Sequence, residues 1–401
     1  MKITNIYYRC FQRLFDLGAR CLPWPRPKNI VGKGCVREIP KLFQEQDVDK
    51  IMVITGRTVG KSLAPAVLQE LRDNGINYYH YSEVPANPTV RVVREIKEKY
   101  LENGCRGFLA IGGGSPIDAA KGAAACIVRP KKEIGDMAGL FKVRKKLPLF
   151  VAVPTTAGSG SETTIAAVIT DSDSHHKYAV MDLCLMPDYA VMDPELMVTL
   201  PPHTTSTTGM DALTHAVEAY LCRSNRTKES DRLAEEATVL IFGYLERAYR
   251  DGTDLEARQQ MLLAANKAGF AFGRSGVGNV HAIAHTLGGL YNTPHGLANA
   301  VILPLVLEDY GPAVYKKLAR LSELTGVRED GTEEEKAKAF IAEIRAMNRR
   351  MDIPEGFADL IREEDIPQMV SWADAEANPI YPVPVIFDKA HFERIIRRIM
   401  R

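Results

Sequence analysis

The strongest constraint on the fold is a change of texture at Pro201-Pro202. Upstream of it, short apolar runs alternate with helical patterns. Ile51 to Thr55 (IMVIT) reads as a buried strand, 61–73 as a helix ending at Asn74-Gly75, and Asn77 to Tyr81 as a second strand. A helix over 89–103, a strand at Phe108 to Ile111, a glycine run and a helix over 116–127 follow. Leu149 to Val153 and Tyr189 to Met192 supply further strands. Strands alternating with helices of about ten to fifteen residues predict a parallel sheet built from βαβ units. Downstream, residues 209–222, 229–250, 254–272, 279–290, 313–325 and 333–350 carry the apolar period of helices. The stretch 375–386, with Pro379, Pro382 and Pro384, reads as extended. The predicted organisation is an N-terminal extension over 1–27, an α/β domain over 28–200 and an all-helical domain over 201–401.

Charge and cysteine usage narrow the function classes. Lys plus Arg number 51 against 50 for Asp plus Glu, a net charge of +1, which argues against a broad nucleic-acid footprint. No apolar run reaches the roughly 18 to 20 residues that span a bilayer. The seven cysteines (Cys10, Cys21, Cys35, Cys105, Cys126, Cys184 and Cys222) are scattered and form no CxxC pair. They read as reduced thiols of a cytoplasmic protein, without a disulfide framework or a thiolate metal site. In the extension, Ile3, Ile6, Tyr7, Cys10, Phe11 and Leu14 recur at helical spacing among Arg9, Arg13 and Arg20, and Pro23, Pro25 and Pro27 end the pattern. A basic amphipathic helix suits a membrane surface or an organelle address. The reading adopted is a helix docked on its own domain or on a partner subunit.

Two loops and a set of histidines carry the chemistry. Gly112-Gly113-Gly114-Ser115 follows a strand and opens a helix, with Asp118 and Lys121 in its first turns. Glycines let a phosphate approach the backbone, and a helix N-terminus offers free N–H groups. The spacing is not GxGxxG, and a plain tight turn would also use these glycines. Pro154-Thr-Thr-Ala-Gly-Ser-Gly-Ser-Glu162 also follows a strand. Two such loops after successive strands put a ligand at the carboxyl end of the sheet. In the helical half, Asp211 and His215 are four residues apart, as are His281 and His285, and His295 follows. That spacing projects each pair from one helix face. Three of these four histidines with the aspartate would make an imidazole–carboxylate site suited to Fe(II), Zn, Mn, Co or Ni, where a lone histidine on a helix would be structural. His80, His175, His176, His203 and His391 are assigned no role.

At these residues the chain resembles the iron-containing (group III) alcohol dehydrogenase family. The resemblance is carried by GGGSPIDAAK (112–121), PTTAGSGSE (154–162), DPELMVTLPP (193–202), GMDALTHAVEAY (209–220) and GVGNVHAIAHTLGGLYNTPHG (276–296). It implies a dehydroquinate synthase-like architecture: a dinucleotide-binding α/β domain, a helical metal domain and an active site in the cleft. It implies metal ligands at Asp211, His215, His281 and His295, Fe2+ before Zn2+, with His285 near the nicotinamide. Gly113, Gly114, Ser115, Asp118, Thr155, Thr156, Ser159 and Lys177 match positions that line the cofactor, and Phe272 matches an aromatic beside the substrate channel. There are departures. Gly273-Arg274-Ser275 stands where relatives often read Ser-Asn-Ala, so Arg274 bears on which substrates enter. Gly56 replaces an Asp that ends the first strand in many NAD-preferring members, so NADP is expected alongside NAD. The N-terminal 25 residues lie outside this resemblance, which begins near residue 28.

The expected reaction is reversible hydride transfer between NAD(P) and a primary alcohol or diol and its aldehyde. Its partners are a small alcohol or aldehyde and further copies of the chain, in a homodimer or larger oligomer. His285, one turn after a ligand, is expected to relay the proton. Competing readings are a polyol or hydroxy-acid dehydrogenase of the same superfamily, and a metal-dependent hydrolase or non-catalytic metal protein.

Overall fold

The computed structural model of the chain describes residues 3–20, 22–171 and 177–400. Cys21, His175 and His176 lie outside the described residues. The chain divides into a helical unit (Met1–Pro23, Pro201–Asp251 and Lys267–Arg401) and an α/β unit (Trp24–Leu200 and Gly252–Asn266). The chain opens with α1 (Ile3–Arg20), and the α/β unit begins with β1 (Lys28–Val31), α2 (Ile39–Gln44) and β2 (Lys50–Gly56). Then come α3 (Arg57–Ser62), α4 (Ala64–Asp73), β3 (Asn77–Val84), α5 (Val90–Glu102), β4 (Gly107–Gly112) and α6 (Gly114–Val128). The unit continues with β5 (Gly139–Leu140), β6 (Leu149–Pro154), β7 (Ala166–Thr170), β8 (Lys177–Met181) and β9 (Tyr189–Met192).

Six strands form a parallel sheet in the order β1-β9-β6-β4-β2-β3. β2 and β4 read as unbroken apolar runs because helices cover both faces of such a sheet. Met52, Ile54, Phe108 and Ala110 pack with Val93, Ile96, Ala120 and Ala123 on one face. Ile51, Val53, Leu109 and Ile111 pack with Leu68 and Leu71 on the other. The chain leaves β2 for β3 on one side and returns to β4 on the other. That reversal makes the carboxyl ends of β2 and β4, at Gly56 and Gly112, a topological switch point, where open α/β sheets bind ligands. A second sheet, β5-β8-β7, has no counterpart among the strands expected from sequence. The helix expected over 61–73 is two helices meeting at Leu63. Pro65, in the first turn of α4, has no N–H to continue a single helix.

The remaining helices are α7 (Pro202–Leu221), α8 (Lys228–Arg250), α9 (Leu255–Ser275), α10 (Asn279–Tyr291) and α11 (His295–Tyr310). After them come α12 (Tyr315–Leu324), α13 (Glu333–Arg350), α14 (Ile366–Ala377) and α15 (Lys389–Ile399). α11 is the buried core helix of its unit, with every residue from Ala298 to Leu307 buried. It packs on α7 and α10, and α7 also packs on α8. Glycines permit the closest crossings: a Cβ on Gly209 would lie 2.2 Å from Leu245, and one on Gly296 would lie 2.4 Å from the Thr207 carbonyl oxygen. The segment expected to be extended from 375 is helical to Ala377, the end of α14. α1 does dock on its own unit, but through its polar side. Gln12, Asp16 and Ala19 are buried, whereas Tyr7 (61%), Leu14 (72%) and Leu17 (65%) are exposed.

Candidate metal centre

Three helices bring four donors to one point. α7 presents Asp211 and His215 from successive turns, the first turns of α10 supply His281, and His295 opens α11. One ligand atom from each of the four lies within 4.8 Å of every other. Asp211, His215 and His281 are buried and His295 is partly exposed, so one flank of the cluster is open. Burial and the neighbouring His215, His295 and His285 hold the His281 ring well below the ordinary imidazole basicity, which keeps a lone pair for a cation.

The donor set fits a cation. Asn299, one turn after His295, puts its amide Nδ2 2.7 Å from Asp211 Oδ1, 3.1 Å from His295 Nε2 and 3.2 Å from His281 Nε2. An amide has two hydrogens for these three acceptors, so the cluster holds more lone pairs than protons to fill them. Behind His281, Glu218 Oε2 lies 2.6 Å from Nδ1. Glu218 also accepts the N–H groups of Gly278 and Val280, each at 2.8 Å, at the positive end of α10. A Cβ on Gly278 would lie 2.6 Å from this carboxylate, which is why a glycine stands there. Burial pushes the Glu218 carboxyl up to about 8, while the Gly278 and Val280 N–H groups act the other way and favour its carboxylate form. A carboxylate on Nδ1 favours the tautomer with its proton there and leaves Nε2 to the metal.

The side chains around the four donors define the rest of the site. Phe272, on α9, stacks on the His215 ring at 4.1 Å between centroids. His285 stacks on His295 at 5.2 Å, and its Nδ1 is 2.6 Å from Glu376 Oε1 of α14. Tyr381 donates its hydroxyl to the same oxygen. Arg274 has Asp16 and Arg20 of α1 as charged neighbours, and burial lowers its guanidinium. Sequence reasoning missed Glu218, Asn299, Glu376 and Tyr381. The first two carried a signal, since Glu218 is seven residues after Asp211 and Asn299 is four after His295. His391, given no role, bonds Asp388 at the start of α15.

In the α/β unit the two loops meet. A Cβ on Gly113 would be 3.0 Å from Thr156 Oγ1, and one on Gly114 would be 3.1 Å from Ser159 Oγ. α6 begins at Gly114 with no side-chain cap, leaving its first N–H groups for an anion. Thr155 is buried and its N–H donates to Gly112 at 3.0 Å. Asp118 braces the loop, with Oδ1 accepting Ser161 Oγ at 2.6 Å and Oδ2 accepting the Val168 N–H at 3.1 Å. Lys121 is fully buried, and its amine donates to the carbonyl oxygens of Ser161 (2.7 Å), Thr164 (2.7 Å) and Ala166 (3.0 Å). Burial lowers that amine to about 8. Ser115 and Lys177 flank one turn, Ser115 bonding the Ala86 carbonyl and Lys177 bonding Asn87 at 2.9 Å. At Gly56 the backbone is extended, and the neighbouring Arg57 pairs with Glu83 at 2.5 Å on the exposed surface.

Two family profiles match the chain: "Iron-containing alcohol dehydrogenase" over residues 26–194, and "Fe-containing alcohol dehydrogenase family, C-terminal" over residues 205–400. The NAD-dependent methanol dehydrogenase of Bacillus methanolicus is 36% identical over 343 residues, covering 85% of this chain and 90% of its own. The 1,3-propanediol dehydrogenase of Citrobacter freundii is 34% identical, covering 88% of this chain and 90% of its own. The solved structure of an alcohol dehydrogenase from Oenococcus oeni superposes with a TM-score of 0.90 at 30% identity, covering 94% of this chain and 100% of its own.

Proposed function

As the chain belongs to the iron-containing alcohol dehydrogenase family and is a metal-dependent alcohol dehydrogenase, we propose that Asp211, His215, His281 and His295 hold its metal. Fe2+ is favoured over Zn2+, and the substrate is a small primary alcohol or diol, interconverted with its aldehyde by NADP(H) or NAD(H). The observation that carries this reading is the convergence of four imidazole and carboxylate donors within 4.8 Å. When bound, the metal supplies Lewis acidity toward the alcohol or carbonyl oxygen and the nicotinamide supplies the hydride chemistry.

The chain's own residues do the rest. Glu218 and Asn299 orient the ligands. His285, its Nδ1 tied to Glu376, has Nε2 to take the hydroxyl proton on alcohol oxidation and to return it on aldehyde reduction. Phe272, over His215, shields one side of the site from water, and Arg274 with it tunes what enters. Gly113, Gly114, Ser115, Thr155, Thr156 and Ser159 cradle the pyrophosphate and nicotinamide ribose, Asp118 holds that cradle in shape, and Lys177 lies beside it. Gly56, with Arg57 following, receives the adenosine ribose or its 2′-phosphate. The six described cysteines are free, which suits a reducing compartment. The reading places the enzyme in the cytoplasm as a homodimer or larger homo-oligomer. Among the described residues no helix is long and apolar enough to cross a membrane.

Metal analysis with turnover tests this. His281→Ala and His295→Ala should lose most bound metal and nearly all nicotinamide-linked alcohol oxidation, while a nicotinamide fluorescence titration stays unchanged. Variants that keep both metal and turnover would sink the assignment. A metal-dependent hydrolase built on the same donors has no use for the two loops, so nucleotide binding separates that reading. A substrate panel separates the polyol and hydroxy-acid dehydrogenases.

A further inference from the structure

The family profiles begin at residue 26, so α1 lies outside them. Its contacts are specific. Gln12 Nε2 donates to the carbonyl oxygens of Pro379 at 2.9 Å and Tyr381 at 2.7 Å. Arg9 donates to the carbonyl oxygens of Val383 at 2.7 Å and Pro384 at 3.0 Å, and to Gln12 Oε1 at 2.9 Å. Asp16 Oδ1 accepts the Asn225 N–H at 2.9 Å, which anchors the far end of the helix. One side of α1 therefore holds four carbonyl groups of the irregular segment 379–384, between α14 and α15.

That segment carries Tyr381. The Tyr381 hydroxyl donates to Glu376 Oε1, the oxygen that meets His285 Nδ1 at 2.6 Å. We propose that α1 is a positioning element for His285: Gln12 and Arg9 fix the 379–384 segment, the segment fixes the Tyr381 hydroxyl, and Tyr381 with Glu376 fixes the imidazole. The kinetic consequence rests on reading His285 as the proton relay. The positioning itself belongs to the metal-free protein and is read without turnover. Gln12, Arg9 and Tyr381 touch neither substrate nor metal in this scheme, so they act through His285. A helix that served only to stabilise its unit would leave the ring's hydrogen bond unchanged.

The test compares Gln12→Ala, Tyr381→Phe, their double variant, Arg9→Ala, Arg9→Lys and an outward-facing control, Leu14→Ser. In metal-free protein, the His285 Nδ1–H resonance is identified by NMR from its loss in His285→Ala. It should move in Gln12→Ala, Tyr381→Phe and Arg9→Ala and stay in place in Leu14→Ser. In metal-loaded enzyme, kcat should fall about tenfold in Gln12→Ala and in Tyr381→Phe, with metal content and nucleotide KM unchanged. Contacts on one path do not add, so the double variant should lose about as much as either single one instead of about a hundredfold. Arg9→Lys keeps a donor and should restore most of what Arg9→Ala loses. An unmoved resonance in Gln12→Ala, multiplying losses, or metal lost in step with kcat would overturn the proposal. If Gln12→Ala does not fold, Tyr381→Phe and the Arg9 pair decide the same question. If no nicotinamide-linked turnover is found, the dehydrogenase reading fails while the resonance still decides this one.

Discussion

Glu218 never touches the metal in this scheme, yet its effect on affinity should be large. It takes two backbone N–H groups and the His281 ring on one carboxylate. Gln at 218 would turn an N–H2 toward donors and lose the preference for the Nδ1–H tautomer. Glu218→Gln should weaken metal binding about 10- to 100-fold, the cost usual for such partners. Competition with a chelator measures this, and unchanged affinity would argue that the carboxylate is only a cap for α10. Cofactor choice is expected to turn on another single position. An acidic residue after a strand bonds the ribose 2′-OH and repels a 2′-phosphate, and Gly56 offers neither effect. Arg57 stands beside it, shared with Glu83. We expect kcat/KM with NADP(H) at least equal to that with NAD(H), and Gly56→Asp should shift the ratio toward NAD(H) tenfold or more, about 1.4 kcal/mol. A strong NAD(H) preference unmoved by the substitution would count against it. Spacing within one helix made Asp211 with His215, and His281 with His285, legible as pairs in the sequence. Glu376 was not, because it reaches His285 from 91 residues downstream and only the packing of α14 on α10 joins them.

Lys317 of α12 shows how an element's end can sense pH. Its amine donates to the carbonyl oxygens of Tyr220 (2.5 Å) and Cys222 (3.2 Å), where α7 runs out of helical partners. Burial lowers this amine to about 8. The folded pKa thus lies below the ordinary lysine value of about 10.4. Between those limits the unfolded chain binds more protons than the folded one, so this group's contribution to stability rises with pH. Below about pH 8 both states are charged and the contribution is flat. The stability difference between the wild type and Lys317→Met should therefore grow in favour of the wild type from about pH 8 to 10.4. A difference constant across that window would show that Lys317 keeps its proton throughout. At this scale the sequence misled where apolar residues surround a helix. α11 reads LANAVILPLVL, apolar on every side with Pro304 inside, so no helical stripe marks it. The β5-β8-β7 sheet escaped notice because its strands are only part-buried and lack the unbroken apolar runs of β4 and β9.

Across the whole molecule the two halves of the chemistry belong to separate units. The four residues proposed to hold the metal all lie in the helical unit, and the glycine loops all lie in the α/β unit. A ligand stabilises what it binds by mass action. Stripping the metal with a chelator should therefore speed amide hydrogen exchange in α7, α10 and α11 and leave β2, β4 and α6 as protected as before. Nucleotide should do the reverse, and equal loosening of both units on chelation would show that the metal holds the entire molecule. The change of texture near residue 200 coincides with one junction between the units, while residues 252–266, within the domain expected to be all-helical, join the α/β unit. What it did not announce is that α1 clusters with helices two hundred residues away and seats its polar side there. That inverted seating has a calorimetric consequence. Apolar hydration is what raises heat capacity on unfolding, and polar hydration lowers it. Tyr7, Leu14 and Leu17 already meet water, while Arg9, Gln12 and Asp16 are the groups that leave their partners when α1 lifts away. Its departure should absorb heat without a step in the baseline, and chilling, which loosens apolar contacts, should leave the helix in its seat.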